Sequence, residues 1–234
     1  MSVLLLVRHG QASWGEADYD RLSQTGVRQS ETLGASLAAR GVEPALVVRG
    51  SMRRHRETAD AARSGAGWSA DVVQDGDWDE FDHLSTLDGS VLFEHLEGEP
   101  DDDRVRRFNA SIDRWASGRH DDEYAETFAA YSGRHDDEYA ETFAAFQARV
   151  EAACARTIDG LGPRETAVIF TSGGPVAWTA ARLIGGGPAV WASLSRVVVN
   201  TSATKVLVGS RGTSLVSFNE HAHLEPSPEL ITYR

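Results

Sequence analysis

Apolar residues gather in this chain into short unbroken runs, with longer amphipathic stretches between them. The first run, Val3-Leu4-Leu5-Leu6-Val7, passes directly into Arg8-His9-Gly10-Gln11. Five apolar residues without alternation fit a strand covered on both faces, as in a parallel sheet. A second such run, Ala167-Val168-Ile169-Phe170-Thr171, passes into Ser172-Gly173-Gly174-Pro175. A further strand is expected at 45–48 and a short one at 70–73. Helical spacing begins after Leu22-Ser23, with Ser23 as N-cap, Val27, Leu33 and Leu37 on one face, and Gly41 past the end. Helices are also expected over 51–62 and 176–184, the latter with Pro175 in its first turn. Near the end, 196–200, 205–208 and 215–219 read as strands, the last two joined as a hairpin through 209–212. The tail from Glu225, carrying Pro226 and Pro228, reads as loosely held.

Strands alternating with helices indicate an α/β fold. Such sheets bind ligands beyond the carboxyl ends of their strands. Arg8 and His9 then stand at the mouth of a crevice, where Gly10 admits close backbone approach. The plain alternative is a strand end with two solvated polar residues. Arg53-Arg54-His55-Arg56 is ordinarily a solvated face, but it follows a strand, and the first helical turn offers N–H groups to an anion. Ser172-Gly173-Gly174 joins a strand to a helix and offers a similar anion site. Trp78-Asp79-Glu80-Phe81-Asp82-His83 sets acids among aromatics. That environment raises a carboxyl pKa and suits a general acid; a surface acidic loop is the other reading.

With 234 residues, the chain is long enough for one large α/β domain. A net charge of -12 argues against nucleic acid or an anionic membrane as partner. An anionic substrate must then be drawn by a local arginine cluster rather than by the overall field. The single cysteine, Cys154, permits no intrachain disulfide or Cys-rich metal site and reads as packing. The N-terminal apolar run is too short for a signal peptide or a membrane span, so a cytoplasmic location is expected.

The segment 117–130 recurs identically at 132–145, an offset of fifteen residues. Two copies do not make a solenoid, and identity over the unit indicates a tandem duplication covering 117–131 and 132–146. Tyr139, Phe143, Phe146 and Val150 have helical spacing. One copy is expected to pack in the native place and the other to protrude as a hairpin or helix extension.

Taken together, the chain resembles the histidine phosphatase superfamily, which includes the cofactor-dependent phosphoglycerate mutases. The resemblance rests on Arg8-His9-Gly10-Gln11, Leu22-Ser23 with Gly26 and Gln29, Arg54 with Thr58-Ala59, Glu80, and His223-Leu224, in that order. It implies one domain over 1–234: a three-layer sandwich, a mostly parallel central sheet with helices on both faces and a helical cap insert at about 84–146 that reads the leaving group. It also implies that His9 attacks phosphorus and forms a phosphohistidine, that Arg8 and Arg54 hold phosphoryl oxygens, and that Glu80 protonates the leaving oxygen, with Asp82 as the alternative acid. Gln11, Ser172 and Gly173 are the further substrate-binding candidates. No metal or other cofactor is required, because the arginines supply the positive charge. The expected partner is a small phosphorylated substrate, with a homodimer left open.

Two departures from the family pattern stand out. The family usually carries a second histidine before Gly-Gly, and here that position is Ser172, which cannot bear a positive charge. His55, His221 and His223 are candidates to replace it, each equally readable as structural or solvated. Ala12 and Gly15 stand where mutases typically carry Ser and Asn. A phosphatase is therefore the leading expectation, with a non-catalytic phosphate-binding protein or a mutase as alternatives.

Overall fold

The computed structural model describes residues 1–13, 20–81, 101–118 and 141–233. Six strands and six α-helices are found among them, in the order β1 (Ser2–Arg8), α1 (Gln24–Ala39), β2 (Leu46–Arg49), α2 (Arg53–Ala66), β3 (Val72–Gln74), α3 (Asp101–Ala116), α4 (Phe143–Asp159), β4 (Thr166–Thr171), α5 (Gly173–Leu183), α6 (Pro188–Ser195), β5 (Ala203–Gly209) and β6 (Gly212–Glu220). They form one sheet in the order β3-β2-β4-β1-β5-β6. The pairs β3-β2, β2-β4 and β4-β1 are parallel, while β1-β5 and β5-β6 are antiparallel.

The unbroken run in β1 has a simple cause. Leu5 and Val7 face α1 and α2, packing with Leu33, Leu37, Ala59 and Ala62. Leu4 and Leu6 face the opposite layer, with Val150, Val176 and Trp191 from α4, α5 and α6. Side chains alternate across a strand, so a strand sandwiched by helices is apolar at every position. The expected α/β fold with a mostly parallel sheet is observed.

Ser23 caps α1 as expected, its side chain accepting from the Gly26 N–H at 3.1 Å. Val27, placed on the buried face by spacing, is instead exposed. α4 starts at Phe143 with Thr142 as N-cap, and buries Phe143, Phe146, Val150 and Cys154. Tyr139 lies outside the described residues, as do most of the duplicated segment and of the expected insert.

Two expectations are corrected at the C-terminal end. Residues 196–200 form no strand. Their polar groups pair with side chains instead: the Val199 N–H donates to Asn219 Oδ1 at 2.8 Å, and the Val198 carbonyl accepts from Arg8. The tail is also not loose. Leu224 and Leu230 are buried together with Val199. Gln29 Nε2 donates to the Leu230 carbonyl at 2.6 Å and to Thr232 Oγ1 at 2.8 Å. Pro228 opens a single 3₁₀ turn, Pro228–Leu230, and the prolines do not prevent packing. α6, Pro188–Ser195, was not foreseen; it directly precedes the stretch expected as a strand at 196–200. Among the described residues, no helix is long and apolar enough to cross a membrane.

Candidate active site

The strand register decides which side chains meet. Arg8 of β1 lies opposite Thr171 of β4, and Arg49 of β2 lies opposite Phe170. His9, Gly50 and Ser172 therefore leave the sheet together at its carboxyl edge. His9 is pinned through its backbone. Its N–H donates to the Thr171 carbonyl at 2.8 Å, and its carbonyl accepts from Asn200 Nδ2 at 3.0 Å. Its Nδ1 lies 2.7 Å from the Gly10 carbonyl. A carbonyl only accepts, so Nδ1 carries the hydrogen and Nε2 keeps its lone pair. Burial, then the positive charges of Arg54 and Arg8, hold the imidazole pKa well below the usual histidine value.

Arg54, near the start of α2, is buried, with Nη1 2.7 Å from Asp20 Oδ1. The other Asp20 oxygen accepts from the Arg53 N–H at 2.7 Å. The N–H groups of Ser51 and Met52 donate to Asp79 Oδ1 at 2.6 and 3.4 Å. The expectation that this helix start would receive an anion is thus corrected. Carboxylates of the chain itself occupy it, as the partial positive charge there favours. Arg8 is half-buried and reaches the Val198 and Tyr233 carbonyls through Nη1, the latter at 3.0 Å. Its Nε passes 3.7 Å from where a Gly173 Cβ would stand.

Glu80 lies over the start of α5, where Oε2 accepts from the Gly174 N–H at 3.1 Å. A Cβ on Gly174 would fall 2.1 Å from Glu80 Oε1, so any side chain here would push the Glu80 carboxylate out of its place. Burial raises the Glu80 carboxyl pKa, while the Gly174 N–H, Arg54 and Arg8 pull it down; the net is upward. The adjacent Phe81 belongs to an aromatic cluster, with ring centroids 4.5 Å from Trp115, 6.0 Å from Phe146 and 6.1 Å from Trp191. The acid-among-aromatics pattern is realised at Glu80.

Ser172 is fully buried, with Oγ 2.7 Å from His55 Nε2. His55 is also fully buried; its Nδ1 lies 3.3 Å from Asp79 Oδ1, and its ring centroid is 5.8 Å from that of His9. The Asp79 carboxylate also accepts from the Ser51 hydroxyl. A Cβ on Gly50 would stand 2.2 Å from His55 Nδ1 and 2.4 Å from Asp79 Oδ1, so Gly50 makes room for this pair.

The family model of the histidine phosphatase superfamily, branch 1, matches residues 4–221. The chain belongs to this superfamily. Solved structures similar to it include Bacillus stearothermophilus YhfR, at 21% identity and TM-score 0.66, covering 96% of this chain and 100% of that one. A phosphoserine phosphatase variant from Entamoeba histolytica in complex with phosphoserine is 17% identical, with TM-score 0.60 and coverage of 96% and 100%. A phosphoglycerate mutase from Bacillus anthracis is 17% identical, with TM-score 0.62 and coverage of 96% and 95%. None of the curated proteins matches the sequence.

Within this member of the superfamily, the structure brings His9, Arg8, Arg54, Glu80, Ser172 and Gly173 to one end of the sheet. Gln11 is only adjacent. Its side chain accepts from Ser23 Oγ at 2.8 Å, and its N–H donates to Gln29 Oε1 at 2.8 Å. Asp82 and His83 lie outside the described residues. Of the three candidate replacement histidines, only His55 touches Ser172. His221 Nδ1 lies 2.7 Å from the Asn219 carbonyl, and His223 Nε2 lies 3.2 Å from Thr201 Oγ1. Asp20, Thr58 and Asn200 were missed. Thr58 Oγ1 accepts from the Gly10 N–H at 3.0 Å while donating to the Arg54 carbonyl at 2.7 Å, tying the two motifs together. Thr58 carried a signal, as part of the Arg54 motif; Asp20 and Asn200 carried none. Thr201 adopts φ 59°, a left-handed value rare for a β-branched residue, and donates its N–H to the Arg8 carbonyl at 3.0 Å. Among the described residues, no three His, Cys, Asp or Glu are grouped to hold a metal.

Proposed function

We propose that this member of the superfamily hydrolyses a small phosphomonoester through a phosphohistidine on His9. The observation that carries the reading is the His9 tautomer: Nδ1–H is committed to the Gly10 carbonyl, and the lone pair is left on Nε2 beside two arginines. Nε2 attacks phosphorus as the ester P–O bond breaks, and Glu80 gives its proton to the departing oxygen. Arg8 and Arg54 steady the phosphoryl oxygens through charge-assisted hydrogen bonds. Water then attacks phosphorus while the Glu80 carboxylate takes its proton. The N–P bond breaks, phosphate leaves and Glu80 is again protonated. The raised pKa of Glu80 and the lowered pKa of His9 favour the starting protonation states together. The Entamoeba histolytica relative, named as a phosphoserine phosphatase, supports a phosphomonoester as the substrate class.

The test is hydrolysis of an aryl phosphate by the wild type and by His9→Ala, with an alkaline quench to trap phosphohistidine. Turnover and an alkali-stable phosphoprotein in the wild type, both lost in the variant, are expected. Undiminished turnover in His9→Ala refutes the assignment. Stabilisation by phosphate with no ester hydrolysed identifies a phosphate-binding protein instead. Conversion of 3- to 2-phosphoglycerate with a bisphosphate primer identifies a mutase.

A further inference from the structure

The row Asp79–His55–Ser172, whose last two members are fully buried, is not used by the chemistry above, although it ends beside His9. We infer that His55, acting through Ser172, supplies the positive charge that the serine cannot carry, and that an oxyanion entering the site draws a proton onto it. The inference rests on the proposed phosphoryl site but not on turnover there.

The Asp79 carboxylate, 3.3 Å from Nδ1, favours a hydrogen on that nitrogen in the neutral ring, which leaves Nε2 as the acceptor of the Ser172 hydroxyl. Ser172 then has no proton for a ligand. Protonating Nε2 reverses the bond. Ser172 accepts from Nε2–H, and its own hydroxyl is released to donate to a phosphoryl oxygen. One proton thus creates both an imidazolium and a donor. The proton comes from solvent, and no covalent bond changes.

The charged groups facing His55 decide when this happens. Arg54 on its own helix disfavours its protonation, and His9, whose ring centroid is 5.8 Å away, is itself held neutral. Asp79, which follows β3, and Asp20, which precedes α1, favour it. With the site empty, burial holds His55 neutral. A tetrahedral dianion adds two negative charges against the same arginines and tips the balance. His55 is a positioning residue here, since Ser172 Oγ stands between its ring and the ligand.

Sulfate is the suitable probe, because it keeps its dianionic charge at neutral pH and any proton taken up belongs to the protein. Calorimetry in two buffers of different ionisation enthalpy counts that proton. Wild type and His9→Ala are expected to take up on the order of one proton per sulfate near pH 7. His55→Gln and Asp79→Asn are expected to take up almost none and to bind sulfate roughly tenfold more weakly, as befits loss of a charge-assisted donor. Should His55→Gln fail to fold, Asp79→Asn decides alone, since Asn keeps an acceptor for Ser51. The double variant His55→Ala with Ser172→His, which moves the imidazole across the contact, is expected to recover most of the affinity. Unchanged uptake and affinity in both single variants, or no sulfate binding by the wild type, overturns the inference. Absent turnover with His55-dependent uptake intact overturns the phosphatase reading alone. Turnover through His9 with uptake independent of His55 overturns this one alone.

Discussion

At the scale of single residues, the site depends on where carbon is missing. Gly174 and Gly50 are needed for space, because a methyl at either would occupy the place of the Glu80 carboxylate or of the His55–Asp79 pair. Gly174→Ala is therefore expected to displace Glu80 and to resemble Glu80→Gln. Both should lose about 10²-fold or more in kcat with alkyl phosphates, the usual worth of a general acid. Aryl phosphates, whose leaving groups need no proton, should lose far less. The comparison of the two ester classes checks this; equal losses on both would remove Glu80 from the acid role. The pH profile follows from the same groups. The acid limb reports His9 losing its proton and lies on the acid side of the ordinary histidine value, because the His9 pKa is lowered. The alkaline limb reports Glu80, whose pKa is raised, and should disappear in Glu80→Gln.

At the scale of elements, β1 and β4 end at His9 and Ser172, and the C-terminal segment holds β1 in place. The Thr232 carbonyl accepts from the Asn200 N–H at 2.9 Å, and Asn200 in turn donates to the His9 carbonyl. The Tyr233 carbonyl accepts from Arg8 at 3.0 Å, and Thr232 Oγ1 accepts from Gln29. Removing residues 231–234 deletes the bonds made by Thr232 and Tyr233 while leaving the buried Leu230. The expected cost is about 2–4 kcal/mol, from several net hydrogen bonds at about 1 kcal/mol each, one of them to a charged group. A urea titration reads it as a lower midpoint at unchanged slope. Because Arg8 loses an anchor, KM for the aryl ester should rise as well. An unchanged midpoint would return the tail to the loosely held state that its prolines imply.

At the scale of the whole molecule, an acidic protein of net charge -12 sets two of its arginines, Arg8 and Arg54, beside His9. Its stability should also depend on pH through histidines that are neutral when folded. Burial lowers the pKa of His9, of His55 and of His223, the last to about 4. A folded pKa below the unfolded one means that the unfolded chain binds the proton first, so stability is full above about 6.5 and falls as the pH drops. Asp79, also lowered, adds to the loss below the ordinary carboxylate range. Glu80 acts oppositely: its contribution is present below about 4.5 and fades as the pH rises through its raised folded value. For His223 the loss between pH 6.5 and 5 is about 2 kcal/mol, and His223→Gln should flatten the stability curve by that amount. Unfolding titrations at these two pH values check it.

Local signals carried the strands, the caps and the reacting residues. Unbroken apolar runs gave β1 and β4, because a strand covered on both faces has no polar position. Arg8, His9, Arg54 and Glu80 were legible because each sits in a short motif beside a strand or among aromatics. Their supports were not. His55 meets Ser172 across 117 residues of sequence, and Gln29 meets Leu230 across 201. No periodicity spans such distances, and a polar residue in a loop looks the same whether it meets water or a buried carbonyl. The sequence alone determined most of the strands and the residues that follow β1 and β4. Only the tertiary structure decided that Asp20 turns Arg54, that Asn200 and the tail clamp β1, and that His55 stands behind Ser172. Buried polar groups must find partners, and the folded chain brings those partners from wherever they lie.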